Sequence, residues 1–251
     1  MTGIPLLQAT DVSKRFGGLN ALDGVELSLE QGKLHAIIGP NGAGKTTFFN
    51  VITGTLPVSG GRIRFLGDDI TDKAAHQISR SGLARTLQIK SVFGNMTVRE
   101  NLWIAAQSRD GVFSMFRNWR TCKRANEKAD SICEQLGLQD LADQTAANLS
   151  YGDVALLEIG LALATEPKLL LLDEPICGMG PAETEQTVAT IQEISKHIDI
   201  IIIEHDIEVV FKIADIVTVM ANGKVLAQGN AREIAQNPAV RTAYLGDDDD
   251  V

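Results

Sequence analysis

The chain has 251 residues, of which 44% are hydrophobic and 22% are charged; this balance excludes a mostly disordered or repetitive protein and is typical of one folded domain with a substantial core. Its formal net charge is -9, which disfavours general nucleic-acid binding through basic patches. The sequence has no apolar run long enough to cross a bilayer and no basic, apolar export signal at its start, so we expect a cytoplasmic protein.

The cysteines and histidines predict neither a disulfide framework nor a transition-metal site. The three cysteines are odd in number and lack Cys-x-x-Cys spacing. The four histidines form no His-Glu-x-x-His pair. The acidic run Asp247–Asp250 is predicted to be a solvated end of the chain.

Alternating and continuous apolar runs predict an α/β protein. The alternation in residues 25–29 and 62–65 predicts strands with one exposed face, in an antiparallel part of the fold. The runs 36–38, 169–172 and 200–203 are apolar throughout, as in parallel strands that are covered on both faces. Each of these three runs is followed by a turn or polar cluster and then by a helical pattern.

Helices and a hairpin complete the predicted elements. Residues from about 97 to 165 are predicted to be almost wholly helical, and Thr97 with Glu100 predicts a capping box at their start. We interpret this stretch as a helical subdomain inserted in the α/β core. The Asn-Gly pair at residues 222–223, between two apolar segments, predicts a β-hairpin.

A phosphate site is predicted at residues 39–46, which read Gly-Pro-Asn-Gly-Ala-Gly-Lys-Thr and fit G-x-x-x-x-G-K-[ST]. An apolar strand precedes the motif, and a helical stretch, Thr47–Thr53, follows it. Glycines let backbone N–H groups converge on a triphosphate. Lys45 would then bridge the β- and γ-phosphates, and the Thr46 hydroxyl would bind Mg²⁺. The alternative is a chance match in a glycine-rich turn.

Two adjacent carboxylates, Asp173 and Glu174, follow the apolar run 169–172. Ligand sites form at the carboxyl edge of parallel sheets. Asp173 would hold the metal through water, and Glu174 would polarise an attacking water. Taken alone, the pair is equally typical of an ordinary polar strand end.

Four further motifs stand in order around these two: Phe16 in Lys-Arg-Phe-Gly-Gly, Gln88, the segment Leu149–Asp153 (Leu-Ser-Tyr-Gly-Asp), and His205 after the last apolar run. With the glycine loop and the carboxylate pair, they resemble the motifs of the ATP-binding subunits of ABC transporters over nearly the whole chain. The resemblance implies a P-loop NTPase (ABC ATPase) core with an antiparallel β-subdomain and an inserted α-helical subdomain. It implies a single nucleotide-binding domain, 1–251, with its core in 1–88 and 166–251 and its helical subdomain in 89–165.

The resemblance also assigns a role to each motif. Phe16 resembles the aromatic residue that stacks on adenine, and Gln88 the glutamine that senses Mg²⁺ and the attacking water. Ser150 and Gly152 lie in the signature motif, which binds the γ-phosphate of ATP held by another subunit. His205 resembles the histidine that contacts the γ-phosphate.

The cofactors implied are ATP and Mg²⁺. The implied catalytic residues are Glu174, His205, Gln88 and Lys45, and the implied metal-binding residues are Thr46, Gln88 and Asp173. The implied ATP-binding residues are Phe16, Gly39, Pro40, Asn41, Gly42, Ala43, Gly44, Lys45, Thr46, Thr47, Gln88, Ser150, Gly152 and Asp173.

Some of these residues also have purely structural interpretations. Phe16 has the alternative interpretation of an ordinary core aromatic, and Gln88 that of a solvated amide at a strand end. Ser150 is a favoured N-cap residue for the helix that follows it. The last interpretation does not compete with function, because a capped helix N-terminus is itself an anion site.

Residues 84–89, 96–102 and 243–246 resemble the ATP-binding subunits of importers for branched-chain and other hydrophobic amino acids, urea and amides. The resemblance implies a second ATP-binding subunit in a hetero- or homodimer, transmembrane permease subunits and, indirectly, an extracytoplasmic solute-binding protein. It implies a peripheral location on the cytoplasmic face of the inner membrane. We place the permease contact in Ile89–Met96, for which a buried loop is the alternative.

The signature departs from the family pattern, because Asp153 replaces its glutamine and Gly180 replaces a later asparagine or aspartate. A carboxylate near a partner's triphosphate should weaken that half-site. We therefore hypothesise an asymmetric ATPase pair, with neutral drift as the alternative. Two other functions stay open: a soluble, non-transport ABC ATPase, and a weakly hydrolysing regulatory nucleotide-binding partner in an asymmetric heterodimer.

Overall fold

The computed structural model describes residues 4–86, 92–109 and 123–245. The chain forms two compact units, one from Met1–Ser81 and Ser195–Val251 and the other from Gly82–Ile194. Within the described residues, no helix combines the length and apolar character needed to cross a membrane. The domain bounds inferred from the sequence stay a prediction.

The regular elements follow one another in chain order. The strands are β1 (Leu7–Phe16), β2 (Leu19–Leu29), β3 (Leu34–Ile38), β4 (Gly60–Phe65), β5 (Asp68–Asp69), β6 (Leu83–Arg85), β7 (Leu169–Asp173), β8 (Asp199–Ile203), β9 (Ile216–Ala221) and β10 (Lys224–Gly229). The α-helices are α1 (Lys45–Ile52), α2 (Ala75–Ser81), α3 (Val98–Ala106), α4 (Lys123–Gln135), α5 (Tyr151–Ala164), α6 (Pro181–Ser195), α7 (Ile207–Ile213), α8 (Ala231–Gln236) and α9 (Pro238–Leu245). Short 3-10 helices lie at Gln107–Arg109, Gln139–Leu141 and Ala146–Asn148.

An antiparallel sheet lies in the first unit, with strand order β2-β1-β4-β5. Leu7 of β1 pairs with Leu29 of β2 on one side and with Phe65 of β4 on the other. Along β2 and β4, buried and exposed residues alternate because successive side chains of a strand point to opposite faces. The two strands predicted from alternation are therefore confirmed.

The first unit also contains parallel strands, with β3 lying between β8 and β9. All residues of β3 are buried, as its continuous apolar run predicts for a strand covered on both faces. Strands β9 and β10 form the predicted hairpin. Asn222 and Gly223 have φ values of 50° and 74°, as a tight turn between right-twisted strands requires.

The second unit combines the parallel pair β6 and β7 with helices. Helix α3 begins at the predicted capping box, in which Thr97 and Glu100 exchange hydrogen bonds. The prediction of an almost wholly helical stretch is wrong for residues 136–150, where the only helices are one-turn 3-10 segments. Gly137 adopts φ 70° after α4, and Leu138 N–H bonds the Cys133 carbonyl oxygen, which is how a glycine closes a helix.

Candidate functional site

The glycine loop leaves β3 and enters α1 in a conformation that requires glycine at two positions. Gly39 has φ 152°, and a Cβ there would lie 2.1 Å from the Met220 carbonyl oxygen. Gly44 has φ 98°, and a Cβ there would lie 2.6 Å from the Ala21 carbonyl oxygen. At both positions, a neighbouring stretch of backbone leaves no room for a side chain, so only glycine fits.

Lys45 is half-buried at the start of α1, and its ammonium group is directed back over the loop. Its Nζ donates to the carbonyl oxygens of Gly39 at 2.6 Å and Pro40 at 3.1 Å. Within the described residues, no side chain caps the N-terminus of α1. The loop thus combines a positive charge with an uncapped helix end, the two features that bind phosphate.

The remaining predicted loop residues also lie at this helix start. Asn41, Gly42 and Thr46 are exposed, Thr47 is half-buried, and Ala43 is buried. Thr46 is therefore an exposed residue in the first turn of α1.

His205 lies beside this loop within the first unit. Strands β3 and β8 are parallel with Ile37 paired to Ile203, so the loop after β3 and His205 after β8 leave the same edge of the sheet. The His205 side chain is 63% exposed, and its Nδ1 lies 3.6 Å from Oε2 of the buried Glu204. His205 therefore has its imidazole in solvent with one nitrogen close to a carboxylate.

Phe16 is 46% exposed at the end of β1, which excludes the core-aromatic alternative. Lys14 Nζ lies 5.2 Å from the centre of the Phe16 ring. The ring therefore keeps a surface available for stacking.

Asp173 ends β7 in the second unit as a fully buried carboxylate. Its Oδ2 accepts a hydrogen bond of 2.6 Å from Arg85 Nη2 of the neighbouring strand, whose side chain is only 10% exposed. Its Oδ1 is buried and has no hydrogen-bond partner within the described residues. One oxygen of Asp173 is therefore fixed by a charge, and the other is left for a ligand.

Glu174 follows directly, with φ 51°, in a region of backbone space that non-glycine residues rarely occupy. Its side chain is half-buried. Such strain costs of order 1–3 kcal/mol and clusters at functional sites. A buried carboxylate at Asp173 is therefore followed directly by a half-buried one on strained backbone.

The tip of α5 carries the signature residues. Ser150 is the N-cap: its hydroxyl accepts from Asp153 N–H at 3.2 Å and donates to Asp153 Oδ2 at 2.9 Å. The predicted capping role of Ser150 is confirmed. Gly152 N–H donates to Glu183 Oε1 at 3.3 Å, and Gly180 N–H donates to Glu183 Oε2 at 3.2 Å. These hydrogen bonds from Gly180 and Gly152, with the Ser150 hydroxyl nearby, hold the pKa of Glu183 below its usual range.

The structure does not test every predicted site residue. Gln88 lies outside the described residues, as do residues 89–91 of the predicted permease-contact segment. In the described part of that segment, Phe93 is 53% exposed, and its N–H donates to the Asn101 side chain at 2.7 Å. An exposed Phe93 argues against the buried-loop alternative there.

Arg85 and Glu183 were not predicted as site residues. For Arg85 the sequence offered an indication, because a charged residue next to apolar strand residues implies a buried partner of opposite charge. Glu183 carried a weaker one: a glutamate in the first turn of a helix predicts a local cap, and nothing nearby indicates its contact with Gly152.

The buried pair of Arg85 and Asp173 gives a stability prediction. Changing Arg85→Gln should lower the free energy of unfolding by about 2 kcal/mol, because the charged hydrogen bond to a buried carboxylate is lost. Urea denaturation measures the change. The matched control is Arg62→Gln, which removes an exposed ion pair with Asp69 and should cost less than about 0.5 kcal/mol. Equal effects of the two substitutions would refute a structural role for the buried pair.

A glycine loop ending in Lys45 and a buried carboxylate at a strand end define the class of P-loop nucleoside triphosphatases. The comparisons with known proteins refine this class. The ABC transporter family profile matches residues 22–177, and the branched-chain amino acid ATP-binding cassette transporter profile matches residues 224–250. The chain therefore belongs to the ABC transporter family, and the predicted class of ABC-type ATPase is confirmed.

Relatives and a solved structure match nearly the whole chain. It is 41% identical over 248 residues to the probable branched-chain amino acid transport ATP-binding protein LivG of Archaeoglobus fulgidus, covering 97% of this chain and 96% of that protein. It is 39% identical over 252 residues to the high-affinity branched-chain amino acid transport ATP-binding protein BraF of Pseudomonas aeruginosa, covering 97% and 98%. The crystal structure of the ADP conformation of an ABC transporter ATP-binding cassette matches with a TM-score of 0.86 and 37% identity, covering 96% and 99%. The predicted α/β fold of an ABC ATPase is confirmed.

Proposed function

We propose that this chain binds MgATP at the glycine loop and hydrolyses it to power an importer for branched-chain or related hydrophobic amino acids. The observation that carries the proposal is the loop itself, in which Lys45 is held over the carbonyl oxygens of Gly39 and Pro40 at an uncapped helix end. ATP would draw the ammonium from these neutral acceptors to the β- and γ-phosphates, since a charged acceptor forms the stronger hydrogen bond.

In the proposed reaction each motif has its own role, as the resemblance to ABC ATPases implies. Mg²⁺ prefers oxygen donors; the Thr46 hydroxyl would be one, and the other would be Asp173 Oδ1, which is buried and has no hydrogen-bond partner within the described residues. When bound, Mg²⁺ neutralises charge on the β- and γ-phosphate oxygens. Glu174 accepts a proton from the attacking water, and His205 contacts the γ-phosphate. Phe16 offers its exposed ring to adenine.

The transport function is supported by two relatives that are named branched-chain amino acid transport ATP-binding proteins. The match to this chain covers 96% of one relative and 98% of the other. Urea or amides are the other solute classes that the sequence resemblance implies. We propose that the chain works with a second ATP-binding subunit on transmembrane permease subunits, with a solute-binding protein outside. It then lies on the cytoplasmic face of the membrane, with Ile89–Met96 as the permease contact.

Uptake of radiolabelled leucine, isoleucine, valine and urea in a strain lacking this chain tests the proposal. The intact chain should restore uptake of the branched-chain amino acids, whereas a Lys45→Ala chain should not. Restored uptake by the Lys45→Ala chain, or no uptake of any of these solutes with the intact chain, would reject it.

A second candidate function is a regulatory partner whose own signature forms a weak half-site. The observation that favours it is Asp153, whose carboxylate accepts a hydrogen bond from the Ser150 hydroxyl in the signature. Changing Asp153→Gln should raise turnover or tighten nucleotide-dependent dimerisation by about 2- to 5-fold, because one negative charge leaves the tip of α5. Phosphate release and association in the assembled complex measure this. If neither changes, Asp153 does not weaken the half-site.

A further inference from the structure

The Glu183 side chain lies directly on Gly152 at the tip of α5. A Cβ added to Gly152 would lie 3.2 Å from Glu183 Cβ and 3.3 Å from its Oε1, and Gly152 is buried. The contact links α6 to α5 across 31 positions of the chain. The backbone N–H of Gly152 is therefore covered by a carboxylate of the same chain.

Two hydrogen-bond donors of the signature, the Ser150 hydroxyl and the Gly152 N–H, already have acceptors within the chain. The Ser150 hydroxyl donates to Asp153, and the Gly152 N–H donates to Glu183. The resemblance to ABC ATPases assigns these two groups to the γ-phosphate of ATP held by a second subunit. A carboxylate and a phosphate both carry oxygen acceptors and negative charge, so they compete for the same donors at a helix N-terminus.

We propose that Glu183 is an internal competitor of the partner subunit's ATP: its carboxylate takes the γ-phosphate position at the tip of α5 and must leave before two cassettes close. The proposal rests on the proposed function, because it requires the second ATP-binding subunit that this function names as partner. Glu183 is then a second carboxylate, besides Asp153, at this half-site. The half-site accepts only a partner whose ATP displaces Glu183 from Gly152.

Glu183 can leave because its place is held by few contacts. Its side chain is half-buried, in the first turn of α6. Its other oxygen accepts from Gly180 N–H, the reach-back hydrogen bond of a helix cap. A rotation about the side-chain bonds uncovers Gly152 without moving either helix. Glutamine supports the same cap and removes the charge, so it separates the capping role from the competing one.

The first test measures ATP-dependent association of the full chain by sedimentation velocity, in a Glu174→Gln background that blocks turnover. Adding Glu183→Gln should lower the MgATP concentration for half-maximal association by about 5-fold or more. The matched control is Glu185→Gln, which removes an exposed carboxylate from the same helix and should leave association unchanged. Equal association of the Glu183→Gln chain and its parent at every ATP concentration would overturn the proposal.

A second test needs no nucleotide. Glu183→Ala removes the acceptor, so hydrogen exchange in the segment containing Gly152 should accelerate at least about 5-fold, while the middle of α5 stays unchanged. Unchanged exchange would overturn the contact itself. A fluorescent ATP analogue distinguishes the two failures: a parent chain that binds none refutes the proposed function, whereas normal binding with unchanged association refutes only the role of Glu183.

Discussion

Glu174→Gln is expected to lower steady-state ATP hydrolysis by about 100-fold or more while leaving ATP affinity unchanged, because a positioned general base contributes roughly 10²- to 10⁴-fold to rate. Glutamine has nearly the same shape as glutamate but does not accept a proton from water. The strained φ of 51° at Glu174 is set by the turn after β7, so the substituted side chain should keep its direction.

Phosphate release and equilibrium binding of a fluorescent ATP analogue, measured on the same preparation of the assembled complex, check this expectation. The expected pattern is a large loss of turnover with unchanged binding, which assigns Glu174 to the chemical step. Turnover within about 2-fold of the intact chain would remove Glu174 from the mechanism, and a parallel loss of binding would make its role structural.

Lys45→Ala is expected to weaken ATP binding by about 100-fold or more, since truncating one partner of a hydrogen-bonded charge pair costs roughly 2–5 kcal/mol. In the structure, the Lys45 ammonium donates hydrogen bonds to the carbonyl oxygens of Gly39 and Pro40, which are neutral acceptors. The loop should keep its shape without the lysine, because backbone contacts near Met220 and Ala21 constrain Gly39 and Gly44.

Isothermal titration with MgATP measures the loss, and thermal unfolding without nucleotide checks that the fold is kept. Lys33→Ala is the matched control, because Lys33 is an exposed cation of the same unit and should not change binding. ATP binding by the Lys45→Ala chain within about 3-fold of the intact chain would contradict the assignment of the loop as the triphosphate site.

Local sequence signals predicted most of the groups that now form the candidate site. The apolar runs identified β3, β7 and β8 because strands covered on both faces need apolar residues throughout. The glycine loop was readable because close backbone approach excludes a Cβ at Gly39 and Gly44. Ser150 was readable as a cap because the hydrogen bond from Asp153 N–H is local.

The groups that the sequence did not predict depend on contacts between distant parts of the chain. Arg85 and Asp173 meet only because β6 and β7 pair in parallel, and their separation of 88 positions carries no pattern. Glu183 reads locally as a first-turn glutamate, and its second contact, with Gly152, depends on how α5 and α6 pack. Helix ends were also misjudged between residues 136 and 150, where Gly137 closes α4.

The central claim is that the ATP site around Lys45 is completed by the signature helix of a second polypeptide. Specific ATPase activity of the purified chain, measured over about a 100-fold range of protein concentration at saturating MgATP, tests this claim most directly. Activity per molecule should rise with concentration, because the active species is an associated pair whose closure Asp153 and Glu183 oppose. Activity per molecule that stays constant over the whole range would mean a self-contained site and would contradict the account.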